Sequence, residues 1–262
     1  MILDRFRLDG KVALISGAGR GIGAGIARAF AEVGADVVIG ARTESQLAEV
    51  AKDVAAQGRR AEVVTADLSE REGMQALVGR AGDAFGRIDI VVNNAGGSPP
   101  GPFLDLSEKA FNGTFQWNVT TAFNLTQLAV PLMLKDGGGN IINIASAAGQ
   151  FHDRGFVAYG TAKAALIHMT ANLANDLAPK IRVNCVAPGA TETSALRGVL
   201  NADLEAKMVA RTPLGRLGSV EDISAAAVFL ASDAASYVTG RVIAVDGGIR
   251  HSNLDLGLPD LE

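Results

Sequence analysis

Val12-Ala13-Leu14-Ile15-Ser16-Gly17-Ala18-Gly19-Arg20-Gly21-Ile22-Gly23 is the stretch on which the fold turns. Its first five residues are uncharged and stand between Gly10 and Gly17, the pattern of a strand buried on both faces. Gly17, Gly19, Gly21 and Gly23 follow, and residues 24–33 then carry apolar side chains at helical spacing. Gly34 offers a helix stop, and residues 37–39 read as a second strand. A strand, a glycine turn, a helix and a strand within about thirty residues form a dinucleotide-binding unit. Glycines let the backbone approach a pyrophosphate, and the helix N-terminus presents its amides to it. Gly17, Gly21 and Gly23 are spaced G-x-x-x-G-x-G, with Gly19 as an extra, rather than as G-x-G-x-x-G.

The alternation continues outward from there. Helical spacing returns at 43–57, 70–85, 107–135, 159–178 and 220–231. Short apolar runs stand at 61–66, 88–92, 140–145, 181–186 and 242–245. Residues 190–211 read as one more helix, loosely held between two prolines. Strands alternating with helices predict an α/β fold: a single doubly wound, Rossmann-like domain over 1–262, with a parallel sheet of seven strands and helices on both faces. Within it, 190–215 is expected to be a substrate loop or lid and 249–262 a C-terminal tail. In such sheets ligands bind outside the carboxyl ends of the strands. The glycine turn, Arg42, Asp67, the run 93–97, Ser146 and Pro188-Gly189 each follow a strand directly, so all are expected to face one crevice.

Composition narrows the partners. The net charge is −4 and the 24 basic residues are spread along the chain without a block, which argues against nucleic acid or an anionic membrane. The single cysteine, Cys185, forbids an internal disulfide, fits a reducing compartment and reads as a packing residue among Val183, Val186 and Ala187. Residues 1–11 lack a signal-peptide core, and no apolar run approaches the ~20 residues of a membrane span. A cytoplasmic, soluble protein is expected. His152, His168 and His251 have no metal-ligand spacing, so no catalytic metal is expected. His152-Asp153-Arg154 reads as a solvated loop on the lip of the crevice.

Tyr159-Gly160-Thr161-Ala162-Lys163 carries the chemistry. Positions four apart on a helix share a face, so Tyr159 and Lys163 project side by side. A phenol alone has a pKa near ~10, and an ammonium beside it favours the phenolate. The pair is a proton-transfer device for a hydroxyl or a carbonyl. Taken singly, Ser146 reads as a strand-end cap and Asn118 as a buried amide.

Together these motifs resemble the classical short-chain dehydrogenases/reductases, over residues 8–248. The family's T-G-x-x-x-G-x-G turn appears as Ser16 to Gly23, with Ser in place of Thr, and its N-N-A-G as Asn93 to Gly96. Its catalytic Asn, Ser and Tyr-x-x-x-Lys fall on Asn118, Ser146, Tyr159 and Lys163, and its P-G turn with a later Thr on Pro188, Gly189 and Thr193. The resemblance implies hydride transfer between a nicotinamide and a secondary alcohol or ketone. It makes Tyr159 the acid/base, and Lys163 the residue that lowers the phenol's pKa and holds the nicotinamide ribose. Ser146 becomes the donor to the substrate oxygen, and Asn118 the holder of a water that links Lys163 to solvent. Its coenzyme contacts map onto Gly17, Gly19, Arg20, Gly21, Ile22, Gly23, Arg42, Asp67, Leu68, Asn94, Ala95, Gly96, Tyr159, Lys163, Pro188, Gly189, Thr191 and Thr193. Thr191 departs from the family's usual apolar residue.

Coenzyme, substrate and assembly follow less directly. NAD-dependent members carry an acidic residue at the end of the second strand. Here that strand ends Ile39-Gly40-Ala41-Arg42, and Asp36 lies at its other end. Arg42 and Arg20 suit a 2′-phosphate, so NADP(H) is favoured over NAD(H). The runs 93–97, 102–103, 187–190 and 212–214 look most like bacterial 7α-hydroxysteroid dehydrogenases. An apolar rim of Phe103, Phe151, Phe156, Ala195 and Leu196 suits a steroid or other lipophilic small molecule. The alternative is a 3-oxoacyl-[acyl-carrier-protein] reductase, for which Arg197, Arg211 and Arg216 offer a basic patch. A non-catalytic dinucleotide-sensing scaffold would have no need of Asn118, Ser146, Tyr159 and Lys163. In the resembled family the helices at 107–135 and 159–178 pair across two-fold axes. A homotetramer is expected, with the tail residues Leu254, Leu256, Leu258 and Leu261 packed on a neighbouring subunit.

Overall fold

In the computed structural model, residues 1–198 and 200–254 are described. Strand β1 (Val12–Ser16) is buried at every position. It pairs in parallel with β2 (Asp36–Ala41) on one side and β4 (Ile90–Asn93) on the other. β3 (Ala61–Thr65) extends one edge, and β5 (Gly139–Ile144), β6 (Ile181–Pro188) and β7 (Val242–Val245) extend the other. The order is β3-β2-β1-β4-β5-β6-β7, all parallel, as the alternation predicts. The order reverses between β1 and β4, so the crevice opens there.

Side-chain alternation assigns each strand residue to a layer. Ala13, Ile15, Val37, Ile39, Ile90, Val92, Ile142 and Val186 face helices α1 (Gly21–Glu32), α2 (Glu44–Ala56) and α9 (Val220–Ala231). Val12, Leu14, Val38, Val91, Ile141 and Val183 face α3 (Arg71–Phe85), α5 (Thr121–Lys135) and α6 (Val157–Leu177). Helix α9 begins at a capping box of Ser219 and Asp222, the start signal visible in the sequence. Asp36 opens β2 at the end away from the crevice, where its carboxylate accepts from Arg59 Nε at 3.0 Å and Arg60 N at 2.8 Å.

Two expected helices differ. The helix at 107–135 divides into α4 (Glu108–Phe115), a π turn (Gln116–Thr120) and α5. Asn118 Nδ2 donates to Thr114 O at 2.9 Å and Thr121 Oγ1 to Trp117 O at 2.7 Å, so side chains compete for carbonyls of the regular ladder. The helix at 190–211 is two pieces, α7 (Ser194–Arg197) and α8 (Ala202–Ala210). Each has its own cap: Thr193 accepts from Leu196 N and Asn201 from Leu204 N. Of the tail, Leu256, Leu258 and Leu261 lie outside the described residues. No helix among the described residues is long and apolar enough to cross a membrane.

Helices α1 and α9 touch backbone to side chain at Gly25. A Cβ there would fall inside Val220 and stand 3.0 Å from Ser224 Oγ. Gly25→Ala forces these helices apart and should cost ~1–3 kcal/mol, the usual penalty for overpacking. Thermal unfolding should shift down by roughly 2–10 °C; an unchanged midpoint would show that the helix pair adjusts freely.

Candidate active site

The crevice is built from the ends of β1 and β4. Ser16 Oγ donates to Val92 O at 3.3 Å and accepts from Asn94 N at 3.0 Å and Ala95 N at 3.1 Å. Asn94 Nδ2 donates in turn to Ser16 O at 3.1 Å and Gly17 O at 3.0 Å. One hydroxyl and one amide thus join the glycine turn to the Asn-Asn-Ala-Gly turn. Gly17 and Gly21 have φ of 66° and 57°, a left-handed backbone that disfavours any other residue. No side chain caps α1, so its first amides are free to meet an anion.

A cleft of about 640 Å³ lies over this turn. Gly17, Gly19, Gly21 and Ile22 form its floor, with Asn94, Ala95 and Gly96 beside them and Leu68 opposite. Arg20 and Arg42 line it together with Thr43 and Gln46, as do Tyr159, Lys163 and Thr193. Gly19 is packed against Gln46 and Ala41, so a side chain there would fill the cradle. Bare backbone, an uncapped helix start and two guanidiniums fit a nicotinamide dinucleotide.

Several residues mapped onto the coenzyme do not line this cleft. Gly23 lies under the turn, where a Cβ would strike Gly17 O and Asn94 Nδ2. Asp67 is exposed, and its Oδ1 accepts from Ser69 N at 2.9 Å and Ser69 Oγ at 2.7 Å. Those bonds hold its carboxyl below the usual range, with a smaller contribution from the charge of Arg42. Pro188, Gly189 and Thr191 line a different cavity. Thr43 and Gln46 were not anticipated; their only sequence signal is that they open the helix after β2.

Tyr159 and Lys163 stand one turn apart on α6. Lys163 is 3% exposed, and its ammonium donates to Ile144 O at 2.9 Å. Nζ lies 5.6 Å from the centre of the Tyr159 ring. Burial lowers the lysine's pKa to about 8. Burial also raises the Tyr159 pKa, against which a hydrogen bond with Ser146 acts in the other direction. Against the expected downward pull of Lys163 on the phenol stands burial, which is the larger effect here; the ammonium gives one of its three protons to strand β5.

Missing side chains bring the parts together. A Cβ on Gly96 would stand 2.7 Å from Asn118 Oδ1 and 3.0 Å from Lys163 Nζ. One on Gly149 would stand 2.7 Å from the Lys163 carbonyl carbon, and one on Gly160 would stand 2.9 Å from Ala148 O. The turn after Ser146 can thus lie directly on α6, and the hydroxyl reaches Tyr159. Asn118 is 1% exposed. Its amide accepts from Gly97 N at 2.9 Å and donates to Gly97 O at 3.0 Å and Thr114 O at 2.9 Å. The side chain is committed to the loop at Gly97 and to the turn before it.

A second cavity, of about 530 Å³, adjoins the first. Ile22, Gly97, Ala145, Tyr159, Thr193 and Ala195 line both. Ser146 faces the second, as do Phe151, Phe156, Ala195 and Leu196 of the expected apolar rim. Phe103 does not line it; it sits exposed on a short turn. The far wall is made by Met208, from the segment expected to be a lid, and by Ile249, Ser252, Asn253 and Leu254, which no motif placed there. Asn253 fastens that wall by donating to Thr212 Oγ1 at 2.9 Å.

Comparison with known proteins follows this geometry. A family model described as enoyl-(acyl carrier protein) reductase matches residues 17–250. An uncharacterized oxidoreductase of Mycobacterium tuberculosis is 56% identical over 263 residues, covering 100% of both chains. A solved 7α-hydroxysteroid dehydrogenase, complexed with NADH and 7-oxo glycochenodeoxycholic acid, has a TM-score of 0.93 at 41% identity, covering 97% of this chain and 99% of its own. A gluconate 5-dehydrogenase of Burkholderia cenocepacia, in complex with NADP and tartrate, has a TM-score of 0.89 at 37% identity, covering 95% and 98%. With fold, turn and side-chain constellation in agreement, the chain belongs to the classical short-chain dehydrogenase/reductase family, as an NAD(P)-dependent oxidoreductase acting on CH–OH groups.

Proposed function

We propose that this enzyme interconverts a lipophilic secondary alcohol and its ketone, with NADP(H) as coenzyme and a steroid-like compound as substrate. The observation that carries the reading is Tyr159: it lies where the glycine-floored cleft meets the apolar cavity, with Ser146 on one side and Lys163 on the other. A bound nicotinamide would supply the hydride chemistry. Tyr159 exchanges the proton with the substrate oxygen, and Ser146 steadies that oxygen by hydrogen bonding. Because burial raises its pKa, the phenol is protonated at neutral pH and ready to donate in carbonyl reduction. Lys163 holds the coenzyme's ribose, and Asn118 holds the Gly97 loop against both.

The apolar wall and the relative bound to a 7-oxo steroid conjugate support a lipophilic substrate. The carrier-protein alternative needs free cations at the rim. Arg197 is already bridged to Glu192 at 3.1 Å and Glu205 at 3.8 Å, and Arg216 is clamped by Asp222 at 2.6 Å. These pairs weaken that reading. Segment 190–215 acts as the lid, since Thr193, Ala195, Leu196 and Met208 all wall the substrate side. A screen of 7-oxo steroids, acetoacetyl thioesters and cyclic ketones with NADPH tests the choice; turnover of thioesters alone would overturn it.

We further propose a homotetramer. Helix α6 turns Val157, Thr161, Ala164 and His168 outward, and Phe115 and Phe123 are exposed beside α5. Only some of the helix's small residues serve that face, because Ala162 and Ala174 are buried in the core. Light scattering at micromolar concentration should give four subunits, and a monodisperse monomer would refute the assembly.

Tyr159→Phe should lower turnover by about 10²-fold or more while leaving coenzyme binding intact, since the ring stays and the proton-bearing oxygen goes. Lys163→Ala should weaken both. The lysine's charged form is lost as pH rises through about 8, so coenzyme affinity should decline above that value. A Tyr159→Phe variant with more than about a tenth of normal turnover would remove the residue from its role.

Coenzyme preference rests on this chain's own residues, because one related structure holds NADH and another NADP. Strand β2 ends at Ala41 with no carboxylate, and Arg20 and Arg42 line the same cleft. Each guanidinium at a phosphate is expected to contribute roughly tenfold in relative affinity. Replacing Ala41→Asp together with Arg42→Ala should reverse the ratio of kcat/KM for NADPH and NADH. A preference for NADH in the unaltered enzyme would show that Arg42 is a solvated side chain.

A further inference from the structure

We infer that Asn143 and Thr170 are positioning residues for Lys163, locking α6 to β5 at a second point and so fixing where the ammonium stands. The inference rests on the role given above to Lys163 in holding the coenzyme.

Adjacent residues of β5 grip the helix twice. Ile144 O accepts from Lys163 Nζ at 2.9 Å, and Asn143 Nδ2 donates to Thr170 Oγ1 at 2.8 Å. Residues 163 and 170 lie two turns apart on one face of α6. Thr170 Oγ1 then donates to Leu166 O at 2.9 Å, so its one proton is used. Behind the strand, Asn143 Oδ1 accepts from Asn93 Nδ2 at 2.8 Å, and Asn93 Nδ2 also donates to Thr126 Oγ1 at 3.1 Å. The chain of bonds runs from α5 through β4 and β5 to α6. Asn143 and Thr170 are 0% exposed, Thr126 is 2% and Asn93 is 3% exposed. Cys185, opposite Asn143 on β6, adds its thiol beside Thr170 and Lys163.

The rest of the helix cannot supply this register. Its buried face carries Ala158, Ala162, Leu166 and Ala174, mostly short side chains that give the sheet little to interlock with. Sliding α6 by one turn would leave much of that apolar contact intact. It would strand the Asn143 amide and the Lys163 ammonium away from their partners, in a site where an unpaired polar group is costly. Register of the catalytic helix is therefore specified by polar bonds, and Thr170 contributes one of them two turns beyond Lys163.

The test is a double-mutant cycle read by NADPH binding, using coenzyme fluorescence, with thermal unfolding in parallel. Thr170→Val should raise the NADPH Kd about tenfold, within the range for residues that act through a network. Thr170→Ser, which keeps the hydroxyl, should stay within about twofold. Asn140→Ala serves as the stability control: it removes a buried bond to Ala231 O of 2.9 Å at the far end of β5 and should lower the melting temperature without moving Kd. In a Lys163→Ala background, Thr170→Val should add nothing further. If Thr170→Val leaves Kd unchanged, or if its effect adds in full to that of Lys163→Ala, the pair is merely structural and the inference is overturned. If Lys163→Ala itself leaves Kd unchanged, the lysine's own role fails, which is a different result. Should Thr170→Val not fold, Thr170→Ala takes its place in the same cycle.

Discussion

A lysine ammonium taken almost wholly out of water sets the terms for the site. Such a charge is tolerated only where a fixed acceptor meets it. The Ile144 carbonyl is that acceptor, at the end of β5 where the sheet's own ladder runs out. The same carbonyl then dictates the placement of α6, and through α6 the placement of Tyr159. Gly96 must lack a side chain to leave room for Nζ, and Asn118 must hold the neighbouring peptide in place. Much of the constellation follows from accommodating one charge.

The parallel sheet explains why that charge is where it is. A sheet covered on both faces has no place for chemistry along its length, so polar groups are driven to the strand ends. β1, β4 and β5 deliver Ser16, Asn94 and Ser146 to a single edge, and the reversal of strand order between β1 and β4 parts the helices there. Two of the polar groups within the sheet layer, Asn93 and Asn143, bond one another across adjacent strands.

Much of this was legible in the sequence. Apolar runs bounded by glycine place the strands, and the Ser219/Asp222 pair marks a helix start to the residue. The four-residue spacing of Tyr159 and Lys163 puts them together without a structure. Much of what escaped depends on contacts between segments far apart in the chain. Ile249, Ser252, Asn253 and Leu254 wall the second cavity, yet nothing local to them says so. The π turn at Asn118 depends on side chains outbidding the helix ladder, which composition alone does not disclose. The sense of the pKa shift on Tyr159 was misjudged because proximity can be read from spacing, whereas desolvation is a property of the finished fold.

The party wall between the two cavities limits how the enzyme can diverge. Ile22, Gly97, Ala145, Thr193 and Ala195 belong to both chambers, so a change at any of them alters the shape of both at once. Selection has freer play on the far wall, from Met208, Ile249, Ser252, Asn253 and Leu254, which lines only one chamber. New specificities in proteins built this way should therefore accumulate on that far wall, while the shared wall drifts slowly.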